Sequence, residues 1–154
     1  MPATDVVSDA NIALKWFHQD GEESVQAARE LLDQHRDRRV VLHVLDLTVY
    51  EIGNALMRGH VRATAEQTAT VISAVRQICL TIAPDDDDLT LATELVANYG
   101  LTLYDAAYAA VARRRDAPLA TLDRQLLDIG LGITPDQLLK QLTQPGTFLD
   151  SKSL

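Results

Sequence analysis

Four short apolar runs, Asp5 to Ser8, Val40 to Leu45, Cys79 to Ala83 and Leu119 to Thr121, alternate with longer segments of helical periodicity. That alternation constrains the fold more than any other feature. A strand, a helix and a further strand pack most readily as a parallel unit with a right-handed crossover. The expected class is therefore α/β, with a mostly parallel central sheet.

Helices are predicted from Ala10 to Phe17, from about Glu22 to about Arg38, from Thr48 to Arg58 and from Thr64 to Gln77. Others are predicted from Asp86 to Tyr99, from Asp105 to Arg115 and from Arg124 to Asp128, with a last one opening at Thr134-Pro135. The boundaries have chemical signals: Thr64 and Gln67 have the form of a capping box, Gly59 and Gly100 are stops, and Pro135 suits a first helical position. A candidate last strand lies near Leu131-Gly132-Ile133. The chain of 154 residues fits one domain, taken as 1–143, with 144–154 expected to be a loose tail that has little to bury.

Four acids stand where strand-like runs give way to helices: Asp9, Glu51, Asp105 and Asp123. The strands of a parallel sheet end on one edge, so residues distant in sequence converge there. Crowded carboxylates need protons or a cation, and hard divalent ions with oxygen ligands are the common solution.

Each acid also has a local explanation. Asp9 and Asp123 fit N-caps, and Glu51 and Asp105 fit the third position of boxes opened by Thr48 and Thr102. Capping alone explains the set poorly, because Ser, Thr or Asn would serve equally well. Ser8, Asn11 and Thr121 are placed to orient the carboxylates or a bound water, and equally to form local turns. The run Asp85 to Asp88 is read as a solvated, dipole-favoured helix start, and Arg113 to Arg115 as the matching C-terminal charges more than as phosphate contacts. His18, His35, His43 and His60 lack the spacing of a zinc site, and Trp16 and Phe17 read as core.

The net charge of −8 excludes a general nucleic-acid-coating surface but not an enzyme acting on nucleic acid through cations. It also leaves room for a basic protein partner. The single cysteine, Cys79, lies in an apolar run and reads as a structural thiol in a reducing cytoplasm. No leader pattern opens the sequence and no apolar run approaches the length of a membrane span, so no membrane association is expected.

With these positions in view, the chain resembles the PIN-domain family of metal-dependent ribonucleases, in particular the compact VapC-type toxins of toxin–antitoxin pairs. The likeness runs from about Val6 to Leu142. It rests on VSDANIALKWF, TVYEIGNAL, LTLYDAAYAAVA and LATLDRQLL in that order, including the Thr two residues before the last Asp. Asp46-Leu47 departs from the pattern, where many relatives place a proline.

The resemblance implies a three-layer α/β/α sandwich, a site on Asp9, Glu51, Asp105 and Asp123, and Mg2+ or Mn2+. It also implies an RNA substrate, a homodimer and a small antitoxin that blocks the site. Asp9 and Asp105 are the first choice as direct ligands, with Glu51 and Asp123 binding directly or through water. Two other classes compete. A phosphatase of the haloacid dehalogenase type wants an Asp where Asn11 stands, and a non-catalytic binding module would be expected to lack one of the acids.

Overall fold

The structure is a computed structural model that describes residues 2–17 and 23–143. The expected tail from residue 144 and the predicted helix start at Glu22 lie outside the described residues. Four strands, β1 (Thr4–Ser8), β2 (Val40–Leu45), β3 (Leu80–Ile82) and β4 (Leu119–Ala120), form one sheet in the order β3-β2-β1-β4. Every pairing is parallel, with Val6 opposite Leu42 and Ser8 opposite Ala120.

Alternation along the strands sends neighbouring side chains to opposite faces. Val6, Leu42 and Val44 join one core with α1 (Ala10–Ala13), α2 (Val25–Arg36), α3 (Thr48–Arg58), α4 (Ala65–Ile78) and α8 (Pro135–Leu142). Val7 and Leu119 join a second core with α5 (Asp86–Tyr99), α6 (Leu103–Arg114) and α7 (Arg124–Asp128). Helices thus cover both faces of the sheet, giving the α/β/α sandwich. Both faces of β1 are buried, which is why its central residues are valines and not an alternation of apolar and polar types.

Local chemistry sets the helix ends. Thr64 and Gln67 close a reciprocal capping box at α4, Gly100 ends α5 in the left-handed region at φ 70°, and Thr134 caps α8 with Pro135 in its first turn. Three expectations change. The predicted helix from Ala10 to Phe17 is α-helical only to Ala13 and tightens to a 3-10 turn over Leu14–Trp16. The candidate last strand shrinks to one bridge between Ala120 and Ile133. Gly130 turns the chain at φ 77°, and a Cβ on Gly132 would lie 2.3 Å from Thr121 Cγ2, so this segment is a close-packed turn. Thr121 falls one residue beyond β4: its amide donates to the Ile133 carbonyl, and its hydroxyl is engaged by Asp9 and the Asp123 amide at the sheet edge.

Core and capping roles account for several other polar groups. Trp16 Nε1 donates to the Ala28 carbonyl, and Cys79 is buried, which pushes its thiol up to about 12. His35 accepts from the Leu42 amide at Nδ1, so its Nε2 carries the proton donated to the Ile78 carbonyl. His43 meets Asp5, and His60 is exposed; His18 is outside the described residues. No helix among the described residues is long and apolar enough to cross a membrane.

Candidate active site

All four predicted acids line one crevice of about 290 Å³, together with Asn11, Leu14, Ile52 and Ala55. The parallel sheet brings them there. Asp9 directly follows β1, Glu51 sits in the first turn of α3 beyond β2, and Asp123 follows β4 at the start of α7. Asp105 comes from the first turn of α6, whose alanine-rich body packs beneath the sheet. Among the described residues the crevice wall contains no Lys, Arg or His.

Asp9 is held at both oxygens. Its Oδ1 accepts the Ala10 amide at 2.7 Å and its Oδ2 accepts the Thr121 hydroxyl at 2.8 Å. The same Thr121 oxygen accepts the Asp123 amide, so one hydroxyl ties the ends of β1 and β4 together. Asn11 lies 3.5 Å from both Asp9 Oδ2 and Thr121 Oγ1, and its Oδ1 accepts the Leu122 amide at 3.2 Å. Ser8 departs from expectation: its hydroxyl donates to the Asp9 backbone carbonyl and reaches no carboxylate. The buried start of the crevice leaves no room for it to turn outward, since Ser8 is fully enclosed.

The capping explanations divide. Asp123 caps α7 by accepting the Leu126 amide, and Thr102 caps α6 by accepting the Asp105 amide without a reciprocal bond from the Thr102 amide to the Asp105 carboxylate. No box forms at α3, because Thr48 Oγ1 is engaged by the Leu45 amide and Leu47 provides no side-chain cap. Glu51 Oε1 instead accepts the hydroxyl of Tyr108 at 2.8 Å. Tyr108 was not singled out from sequence. The available signal was its spacing, since a phenol three residues after Asp105 shares its helix face.

The electrostatics reflect crowding without a counter-charge. Burial, reinforced by Glu51 and Asp105, pushes the Asp9 carboxyl up from 3.8 to about 7. Burial and the nearby Asp105 also raise Glu51, against the opposing bond from Tyr108. Burial and Asp123 raise Asp105. An oxygen-rich wall on which the described residues place no cationic side chain suits a hard divalent cation. Among the described residues, however, no three His, Cys, Asp or Glu side chains stand close enough to grip a metal ion as they are. Mg2+ commonly keeps several waters between itself and carboxylates, which suits acids spaced round a crevice.

The chain is 39% identical over 100 residues to an exonuclease, VapC9, of Pyrobaculum aerophilum, covering 61% of this chain and 68% of the relative. It is 31% identical over 112 residues to a ribonuclease, VapC3, of the same organism, covering 70% and 82%. Its fold superposes on the crystal structure of PAE2754 from that organism with a TM-score of 0.67, at 26% identity over 91% of this chain and 90% of the other. A toxin–antitoxin complex from Klebsiella pneumoniae shares the fold at 21% identity, with a TM-score of 0.60 over 84% and 97%. The PIN-domain profile matches residues 6–131, and with the acidic crevice formed inside that span the chain belongs to the PIN-domain family.

Proposed function

We propose that the chain is a divalent-cation-dependent ribonuclease and the toxin of a toxin–antitoxin pair. The supporting observation is the crevice itself: four carboxylates from four separate segments line one wall on which the described residues place no positive side chain. Asp9, Glu51, Asp105 and Asp123 would hold Mg2+ or Mn2+. When bound, such a cation supplies Lewis acidity toward a phosphodiester and toward an attacking water.

The chain's own residues do the rest. Thr121 and the Ala10 amide fix Asp9 in one orientation, and Tyr108 fixes Glu51. The Asp105 carboxylate, whose charged form the Thr102 hydroxyl favours, lines the crevice from the first turn of α6. Leu14, Ile52 and Ala55 line the crevice with apolar surface, so charge interactions inside it are screened less than at the open surface. Among the described residues the wall offers no Ser, Cys or Lys to act as a nucleophile, so the attacking group would be water. A non-catalytic module remains the alternative, and the completeness of the quartet argues against it.

RNA as substrate is supported by the relative named a ribonuclease, and an antitoxin partner by the toxin–antitoxin complex that shares the fold. A larger hollow of about 1030 Å³, lined by Leu47, Val49, Tyr50 and Met57 of the α3 region and Ile72 of α4, gives apolar surface for a second protein. We place the enzyme in the cytoplasm as a homodimer.

Purified protein should cleave single-stranded RNA with Mg2+ or Mn2+ and stop in EDTA. Cleavage at full rate in chelator would sink the mechanism. Expression should arrest growth in the wild type but not in Asp9→Asn, and co-expression of a small adjacent reading frame should relieve the arrest. A monomer in light scattering at micromolar concentration would remove the dimer.

A further inference from the structure

We propose that Tyr108 is a positioning residue for Glu51, the end of a hydrogen-bond chain that runs from the β2 backbone to the carboxylate and leaves Glu51 one oxygen for a ligand. The proposal rests on the cation-binding function above, and it names a residue outside the acidic quartet.

The chain has three links. The Leu45 amide donates to Thr48 Oγ1 at 3.0 Å, Thr48 Oγ1 and the Tyr108 hydroxyl lie 2.6 Å apart, and the Tyr108 hydroxyl meets Glu51 Oε1 at 2.8 Å. The ends fix the direction of every proton. A backbone amide only donates, and an ionised carboxylate only accepts. Thr48 therefore accepts from Leu45 and donates its own proton to Tyr108, whose phenol proton is left for Glu51. No hydroxyl in the series can rotate away without stranding a polar group in a fully buried setting, because Thr48 and Tyr108 are both 0% exposed.

The anchor is rigid where the acid is not. Tyr108 packs among Val7, Leu45 and the α6 alanines in the second core, so its ring has a single place. Glu51 is half-buried in the first turn of α3, on a side chain with three rotatable bonds. Asp9 needs no such help, since it is short and held at both oxygens by groups adjoining it. With Oε1 taken by Tyr108, and no hydrogen bond of the described residues reaching Oε2, Glu51 faces the crevice through one oxygen. Helix α6 thus supplies Asp105 directly and sets Glu51 from the next turn.

The test compares Tyr108→Phe, Thr48→Val and Thr48→Ser with wild type, and uses Val75→Ala, in the α4 core, as a destabilised control away from the crevice. Mn2+ alone is titrated by calorimetry, and RNA cleavage is followed at saturating Mn2+. Loss of a group that orients a metal-binding carboxylate typically weakens affinity about 10–100-fold. Tyr108→Phe should therefore bind Mn2+ at least about tenfold more weakly, with kcat reduced and KM for RNA unchanged. Thr48→Val breaks the chain one link earlier and should move the same way, whereas Thr48→Ser keeps the hydroxyl and should match wild type. Val75→Ala should lose melting temperature without losing Mn2+ affinity. Tyr108→Phe binding Mn2+ within about twofold of wild type, far inside the range for such orienting groups, overturns the proposal while leaving the cation-dependent function standing. Absence of Mn2+ binding by the wild type itself overturns both. In metal-free crystals the Glu51 carboxylate should shift in Tyr108→Phe, and an unmoved carboxylate would again count against positioning.

Discussion

Asp88 and Asp9 are both buried aspartates at the start of a helix, yet the chain surrounds them with opposite partners. Asp88, in the first turn of α5, receives Arg114 at 2.8 Å and Arg115 at 3.0 Å from the end of α6, and closes a capping box with Asp85. Burial would raise its carboxyl, but the two arginines and the Asp85 amide hold it well below the usual range. Asp9 receives neutral donors, the Thr121 hydroxyl, the Ala10 amide and, at 3.5 Å, the Asn11 side-chain amide, faces two other acids, and is pushed up to about 7. One group of acids is neutralised from within the chain and ties two helices together. The other is left short of positive charge, which is how a site for an external cation differs from a structural ion pair.

Neutralising one member of each group should separate the two roles most sharply. Asp105→Asn is expected to lower RNA cleavage at least about 100-fold, a loss of roughly 3 kcal/mol in transition-state stabilisation. Its metal-free melting temperature should stay level or rise, because a crowding charge is gone. If activity survives and stability falls by the ~1 kcal/mol typical of a lost helix-start interaction, Asp105 is a cap and the comparison fails.

Asp88→Asn should do the reverse. It strands Arg114 and Arg115 beside a buried amide, so a stability loss of about 2–3 kcal/mol is expected, at or below the lower end for broken buried pairs because both arginines are a third exposed. Cleavage per folded molecule should be unchanged. Chemical denaturation and single-turnover assays on the same preparations check both halves. A large fall in single-turnover rate would mean that the α5–α6 clamp reaches into the crevice.

How far these differences could be read from the sequence depends on the distance over which each is decided. The α/β class, the strand at Val40 to Leu45, the helices at Thr48 to Arg58 and Asp86 to Tyr99, and the meeting of the four acids all follow from patterns a few residues long plus the rule that parallel strands end on one edge. What was not legible depends on partners far apart in sequence. Asp85 to Asp87 are the solvated helix start that the sequence suggests, but Asp88 is buried against Arg114 and Arg115 from 26 or more residues away, and those arginines serve this pairing as well as the end of α6, where Arg115 donates to the Val111 carbonyl. Glu51 reads as a cap until Tyr108 reaches it from 57 residues on. The last strand failed for a steric reason, the turn at Gly130 and the contact of Gly132 with Thr121.

The smallest effect expected is in the pH dependence of stability, where the two groups of acids pull in opposite directions. Asp9 has a folded-state pKa of about 7, above its ordinary value of 3.8, so its contribution is fully present below about pH 4 and is lost as pH rises through 7. The raised carboxyls of Glu51 and Asp105 act in the same direction. Asp88 is depressed, so its contribution is present above about pH 4 and disappears as pH falls below it. The metal-free protein should therefore be most stable on the acid side of neutrality. It should lose about 1–2 kcal/mol between pH 5 and pH 8, less than the full shift of Asp9 would give because the side chains relax when they ionise. Asp9→Asn should flatten that slope and leave the fall below pH 4 intact, while Asp88→Asn should do the opposite. Saturating Mg2+ should also flatten the upper slope, because a bound cation takes over the role of the protons. Melting curves across pH 3 to 8, with and without Mg2+, check all four profiles. A metal-free melting temperature that is level from pH 5 to 8 would show the quartet to be as well compensated as Asp88, and the distinction between the two groups would be lost.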